Sequence, residues 1–308
     1  SQVQVLSPRP HILLNMIHTI INYISYLPIP LLIILIFLIV KYRKKLLEKK
    51  FFLVLSILLI PILLLSIYAR FVEPNIVKVQ SSNIEVGFKA KIVLIADTHL
   101  GVYSNKAFLK KVVRKINSIE DVDAVVLAGD IIYYPKRDLI KLLEPLKDIK
   151  YPLLVVLGNH DVGYPGPNLE KELEEAFKKL DVVYLKNSSV KIGDVTFFGL
   201  GEIWAGDADI EKLESLESDE NLIAIAHNPD TVYEYRKNIP DLTLSGHTHG
   251  GQIRLPFIYE YFIPSKHGFN EGFYNIEKGK VFVTSGLGQT GLPFRLGIPP
   301  QIDIIQLY

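Results

Sequence analysis

Cysteine is absent from the 308 residues. That excludes disulfides, iron–sulfur clusters and thiolate metal sites, and it removes any redox signature of a compartment. Methionine and tryptophan occur once each, and there are only eight histidines. A strong excess of either charge is also missing, since the formal net charge is +1. The balance hides a split: residues 41–50 hold six Lys/Arg against Glu48, whereas residues 51–308 carry 27 basic and 32 acidic groups. A mildly acidic body lacks the basic face that nucleic acid requires, so nucleic acid is not expected as a partner. No internal repeat or low-complexity tract is present.

Hydrophobic residues make up 49% of the chain and concentrate before residue 70. Phe51 to Ala69 contains no charged residue. A helix of that length spans roughly 28 Å, close to a hydrocarbon core of about 30 Å. Pro61 would kink such a helix rather than abolish it. Residues 23–40 give a second, less clean span, preceded by an interfacial segment over 1–22 with amphipathic character. The Lys/Arg-rich loop 41–50 between the spans is expected to stay cytoplasmic. The hairpin of 23–70 therefore sends the rest of the chain to the extracytoplasmic side of a cell membrane, as a multi-pass protein. No small-residue cleavage site follows Ala69, which favours a retained anchor over a signal peptide. Residues 71–90 read as a connector entering an edge strand, and 91–308 as the catalytic domain.

From Lys91 onward, short β-branched runs alternate with amphipathic stretches at 105–119, 139–149 and 169–180, the pattern of a layered α/β fold. Five of the runs end in metal-binding residue types: Asp97-Thr98-His99, Gly129-Asp130, Gly158-Asn159-His160-Asp161, His227 and Gly246-His247-Thr248-His249. Five of the eight histidines lie in these motifs. Strand ends of an α/β sheet meet at its rim, where ligands bind. A carboxylate, amide and imidazole set suits Mn, Fe or Zn better than Ca or Mg. The motifs divide between two divalent ions: Asp97, His99 and His249 for one, Asn159, His227 and His247 for the other, with Asp130 bridging. The i, i+2 spacing of Asp97 and His99 would put both on one face of an extended strand end, while loop backbone at Gly246 would splay His247 and His249 toward different ions. His160 is left free to act as general acid, with Asp161 expected to fix its tautomer.

As a set, these motifs resemble the signature of the calcineurin-like metallophosphoesterases over residues 91 to about 250. The continuations GHTHGGQIRLP at 246–256 and GLGQTGLPFRLGIPPQIDIIQL at 286–307 are similar to a membrane-anchored or exported bacterial-type branch. The resemblance implies a four-layered α/β/β/α sandwich, here preceded by the transmembrane hairpin, and the same metal ligands with His160 as the acid. Two departures concern substrate contacts: Ser285 stands where the branch often has Arg, and Tyr133 where many members have an acidic residue. Arg254 and Arg295 become the candidate phosphate holders, with Lys266 and His267 on a lid. The apolar stretch 255–262 is read as core, with contact to a membrane interface as the alternative.

The expected function is a membrane-anchored, dinuclear-metal phosphohydrolase acting on phosphoester or pyrophosphate bonds in lipid-linked or cell-envelope substrates. The alternatives are a phosphodiesterase or nuclease on soluble substrates, and a metal-stabilised binding protein without catalysis.

Overall fold

The computed structural model describes residues 9–44, 50–135, 138–216 and 221–308. Residues 45–49, at the centre of the basic loop, and 1–8 of the interfacial segment lie outside the described residues.

Among the described residues, the chain begins with the helices α1 (Arg9–Ile24), α2 (Pro28–Lys41) and α3 (Lys50–Ile67). A turn ahead of Pro28 separates α1 from α2, because a proline at the helix start supplies no N–H for a continuing ladder. Helix α3 runs through Pro61 without ending, packs against α2, and passes into a single wider turn over Tyr68–Val72. The segments 13–41 and 50–75 are each long and apolar enough to cross a membrane.

The remaining chain forms two six-stranded sheets. The first has the order β1 (Lys78–Ile84), β14 (Gln301–Leu307), β2 (Ala90–Ile95), β4 (Ala124–Ala128), β6 (Leu153–Val156), β7 (Val183–Tyr184). The second runs β12 (Gly272–Ile276), β13 (Gly279–Val283), β11 (Leu242–Ser245), β10 (Asn221–Ile225), β9 (Val195–Gly199), β8 (Ser188–Ile192). A two-stranded ribbon, β3 (Leu100–Gly101) with β5 (Ile132–Tyr133), sits beside them. Strands β2, β4 and β6 pair in parallel, as do β9, β10, β11 and β13.

Alternation along each strand builds the layers. In β2, Ile92 and Leu94 face the second sheet while Val93 and Ile95 face helices. In β10, Ile223 and Ile225 meet the first sheet, whereas Leu222 turns to the outer layer with Leu213, Val232 and Tyr235. Helices α4 (Lys106–Ile116), α5 (Leu139–Leu143) and α6 (Glu170–Leu180) cover the first sheet, and α7 (Ile210–Glu214) with a 3₁₀ turn at Pro229–Glu234 covers the second. Helix α4 buries Leu109, Val112, Val113 and Ile116, one helical stripe, and the Asn105 side chain caps it by accepting from the N–H groups of Ala107 and Phe108. The stretch predicted as one helix over 139–149 divides at Pro145, continuing as a 3₁₀ turn. The result is the four-layered α/β/β/α sandwich, behind an apolar helical hairpin.

Candidate metal centre

Parallel strands from both sheets end at one edge, and the five motifs follow directly. Asp97 and His99 come after β2, Asp130 after β4, Asn159 after β6, His227 after β10, and His247 and His249 after β11. Seven side chains thus converge from the two sheets, and all seven are buried. The main-chain N–H of His247 donates to both oxygens of Asp97 at 3.1 Å, which stitches the sheets together at the centre.

The local backbone differs from an extended strand end. Asp97, His99, Asp130, His247 and His249 all have positive φ, between 42° and 75°. This left-handed region is uncommon for residues with a side chain and clusters at functional sites. The shared face expected for Asp97 and His99 therefore arises from left-handed turns, not from the pleat of a strand. Close approach explains two glycines. A Cβ on Gly158 would lie 2.2 Å from Asp130 Oδ1, and one on Gly246 would lie 2.5 Å from the Ala96 Cβ.

The side chains fall into two groups, Asp97 with His99 and His249, and Asp130 with His227 and His247. In the first, His99 Nε2 and His249 Nε2 are 3.0 Å apart, and His249 Nε2 is 3.6 Å from Asp97 Oδ1. In the second, His247 Nδ1 is 3.2 Å from His227 Nε2, which lies 3.1 Å from Asn159 Oδ1. Asp130 faces both groups: its Oδ2 is 3.5 Å from His99 Nε2 and 3.4 Å from His227 Nε2, while its Oδ1 accepts the N–H of His160. Asn159 donates its amide to the carbonyl of Tyr164, which turns Oδ1 inward, and His227 Nδ1 donates to the Ala128 carbonyl at 2.8 Å. These outer hydrogen bonds leave Nε2 of His227 and Oδ1 of Asn159 aimed at the centre, the orienting role that second partners serve around a metal.

Burial keeps three of the four ligand imidazoles in the form that binds a cation. Burial lowers His99 to about 3, burial and then His227 lower His247 to about 3, and burial holds His249 well below its ordinary value. Three imidazoles are thus neutral, as ligands must be. Burial opposes a charge on His227, but the Asp130 carboxylate outweighs it and raises His227 to about 10. Burial likewise opposes the Asp130 charge, yet His227 and its neighbours hold that carboxyl well below the usual range. Burial pushes Asp97 up to about 7. Two imidazole nitrogens about 2.1 Å from a common ion lie roughly 3.0–3.4 Å apart, depending on the angle between them, and the separations of 3.0 and 3.2 Å within the two groups fall in that range. The donor set therefore fits two divalent ions.

A family model described as calcineurin-like phosphoesterase matches residues 90–251, more than half of the chain. The uncharacterized metallophosphoesterase YkuE of Bacillus subtilis is 34% identical over 256 residues, covering 78% of this chain and 88% of its own length. The chain belongs to the calcineurin-like phosphoesterase family. An uncharacterized metallophosphoesterase of Campylobacter jejuni is 34% identical over 226 residues, 70% of this chain, and this chain spans only 59% of that relative's length. The phosphodiesterase YaeI of Escherichia coli is 27% identical over 70% of this chain and 82% of its own length. The metallophosphoesterase domain is a metal-dependent phosphohydrolase domain of dinuclear type, with two candidate metal-binding groups.

Within this phosphoesterase domain, the structure departs from several expectations. Asp161 does not orient His160. It is fully buried and accepts from the N–H groups of Ile131, Ile132 and Gly158 at 2.9–3.1 Å. Adjacent side chains diverge at this turn, so the His160 Nδ1–H donates instead to the Pro165 carbonyl at 3.1 Å. The two arginines do not face substrate space either. Arg295, fully buried, directs its guanidinium to the carbonyls of Gly288, Ile298 and Ser285, with one nitrogen also 3.5 Å from His249 Nδ1. Arg254 pairs with Glu271 at 2.7 Å and lies over the Tyr259 ring. The segment carrying Lys266 and His267 is tied down rather than free: Lys266 N–H donates to Asp230 and His267 stacks on Tyr233.

A cavity of about 530 Å³ opens from Asp130, Asn159, His160, His247 and His249. Its walls are Trp204, Ile253, Leu255, Ile258, Tyr259, Phe262 and Leu292. The stretch 255–262, read above as core, is exposed: Phe257 is 94%, Tyr261 86% and Phe262 77% accessible. Its 3₁₀ turn at Tyr259–Phe262 has no buried residue. Trp204 was not anticipated as part of the site, and Tyr133 was noted only as a departure bearing on substrate contacts. Trp204 packs edge-on to His247 at 4.5 Å, and Tyr133 packs edge-on to both His99 and His160. The signal for Trp204 was its position after β9, a further strand ending at the same edge.

Proposed function

We propose that this chain is a membrane-anchored phosphohydrolase that cleaves phosphoester or pyrophosphate bonds in lipid-linked substrates on the extracytoplasmic side. The apolar cavity leading straight out of the metal centre carries this reading. A small polar ester has no use for walls of Leu255, Ile258, Phe262 and Leu292, whereas a hydrocarbon chain gains about 0.8 kcal/mol for each methylene it buries there. The apolar hairpin supports the same reading by holding the domain beside such substrates.

Asp97, His99 and His249 would hold one ion, and Asn159, His227 and His247 the other, with Asp130 Oδ2 shared. Mn, Fe and Zn match the donors. When bound, such a pair lowers the pKa of a water and neutralises phosphoryl charge. His160 lines the cavity with its Nδ1 proton fixed on Pro165, so Nε2 is the atom that delivers a proton to the leaving oxygen. Thr290 Oγ1, 3.4 Å from that nitrogen, helps to hold the ring.

The test is a matched panel with the full chain in vesicles containing Mn, Zn or Fe: phosphomonoesters, diesters and pyrophosphates, each with a long and a short alkyl group. At least tenfold higher kcat/KM on the long-chain members is expected, and equal values would sink the lipid assignment. A second reading, a phosphodiesterase of soluble substrates, draws on the name of the Escherichia coli relative. Activity confined to diesters, without chain-length preference, is its signature.

A further inference from the structure

Helix α1 lies on the phosphoesterase domain rather than apart from it. Leu14, His18, Ile21, Asn22 and Ser25, spaced three and four apart, form its less exposed face, while Leu13, Met16, Ile17, Ile20 and Ile24 are exposed on the other. Arg70, just beyond α3, pins the end of α1 by donating to Asn22 Oδ1 and Ser25 Oγ, both at 2.8 Å. In the middle of the helix, His18 enters a cluster of Tyr103, Tyr133 and Tyr134, with ring centroids 5.1–6.4 Å away.

One assignment of protons satisfies this cluster as a closed ring. His18 Nδ1–H donates to the Tyr103 oxygen at 3.3 Å, and the Tyr103 hydroxyl donates to the Gly291 carbonyl at 2.8 Å. The Gly291 N–H donates to the Tyr133 oxygen at 3.1 Å, and the Tyr133 hydroxyl donates to His18 Nε2 at 3.0 Å. In this assignment each donor meets one acceptor, because a neutral imidazole offers one of each; His18 Nδ1 also lies 3.3 Å from the Tyr133 oxygen. Tyr133 in turn packs edge-on against His160 at 5.1 Å and His99 at 5.2 Å. Thr290, next to Gly291, reaches His160 Nε2.

We propose that α1 backs the active site from behind Tyr133 and that His18 is a positioning residue, holding Tyr133 and the Thr290–Gly291 turn against His160. This rests on the phosphohydrolase reading for its kinetic consequence, though not for its geometry. The hydrogen bonds join residues 85 to 188 positions apart, so the helix that leads into the membrane hairpin also sets the pose of the acid.

The test uses the full chain with Mn, comparing His18→Ala, His18→Gln, Tyr133→Phe and the double variant His18→Ala/Tyr133→Phe. Each single variant other than His18→Gln should lower kcat about tenfold, with KM changed less than about twofold and bound metal unchanged. The double variant should lose far less than about a hundredfold, since the Tyr133–His18 hydrogen bond is lost in both single variants. Glutamine, which keeps a donor and an acceptor, should restore kcat to within about threefold. Deuterium uptake at 130–134 and 288–292 should rise in His18→Ala. Unchanged kcat, or losses that multiply to about a hundredfold in the double variant, would overturn the proposal. If the unsubstituted chain hydrolyses no phosphoester, the functional reading fails, and deuterium uptake alone then decides the role of His18: no rise refutes it.

Discussion

His160 and Asp161 are neighbours in the chain and point into different parts of the molecule. The imidazole lines the substrate cavity with its Nδ1 proton on Pro165, whereas the carboxylate is fully buried and gathers three main-chain N–H groups. Burial pushes Asp161 up to about 7, against the pull of those donors. The proposed general acid thus stands beside a structural clamp.

His160→Ala should therefore lower kcat by about 10²–10⁴ while two ions remain bound. Steady-state kinetics with elemental analysis of the same sample checks this. Unchanged turnover would leave a metal-stabilised binding protein as the better description.

Asp161→Ala should act on stability instead. It leaves three buried N–H groups without an acceptor, for a loss of about 3 kcal/mol or more, and a lowered midpoint in thermal or urea unfolding. If the melt is unchanged and only kcat falls, the clamp assignment is wrong.

Asp303 gives a pH test away from the metal centre. Burial raises this carboxyl in β14 to about 6. Between about pH 4 and 6 the folded chain binds a proton that the unfolded chain has released, so stability falls as pH rises through that window and stays lower above it. Asp303→Asn should flatten this profile and stabilise the protein by on the order of 2–3 kcal/mol at pH 7. Urea unfolding at pH 4, 5, 6 and 7 reads it directly.

Removing the ions should lower the melting temperature by roughly 5–10 °C, reversibly, if they are present at about a hundred times their dissociation constant. The seven side chains otherwise leave buried charge and crowded imidazoles unbalanced. A chelator titration followed by Mn addition tests this, and an indifferent melt would argue against ions at these groups.

Ile258→Glu places a charge in the cavity wall. KM for a long-chain phosphoester should rise about tenfold or more, with short-chain substrates little affected. Equal effects on both would mean that the cavity does not receive the chain.

Much of the fold was legible because periodicity reports burial. The parallel strands, the amphipathic helices and the metal-binding residue types at strand ends all carry local signals, and the edge strand after 71–77 followed the same logic. What stayed hidden depends on distant partners. Arg295 looks like a phosphate ligand until three carbonyls from the 285–298 turn are seen to occupy it. Asp161 looks like a catalytic partner because it adjoins His160, yet its donors come from residues about 30 positions away. The docking of α1 could not be read either, since His18 meets tyrosines 85 and 115 positions downstream.

The dispersal of the ligands has a consequence for biogenesis. Asp97 and His99 leave the ribosome long before His249, and His227 lies almost a hundred residues beyond Asp130. A growing polypeptide thus offers cations only scraps of either cage, and the left-handed turns that aim the ligands need both sheets in place. Both candidate ligand groups are complete only once residue 249 has been made and the two sheets have closed on each other.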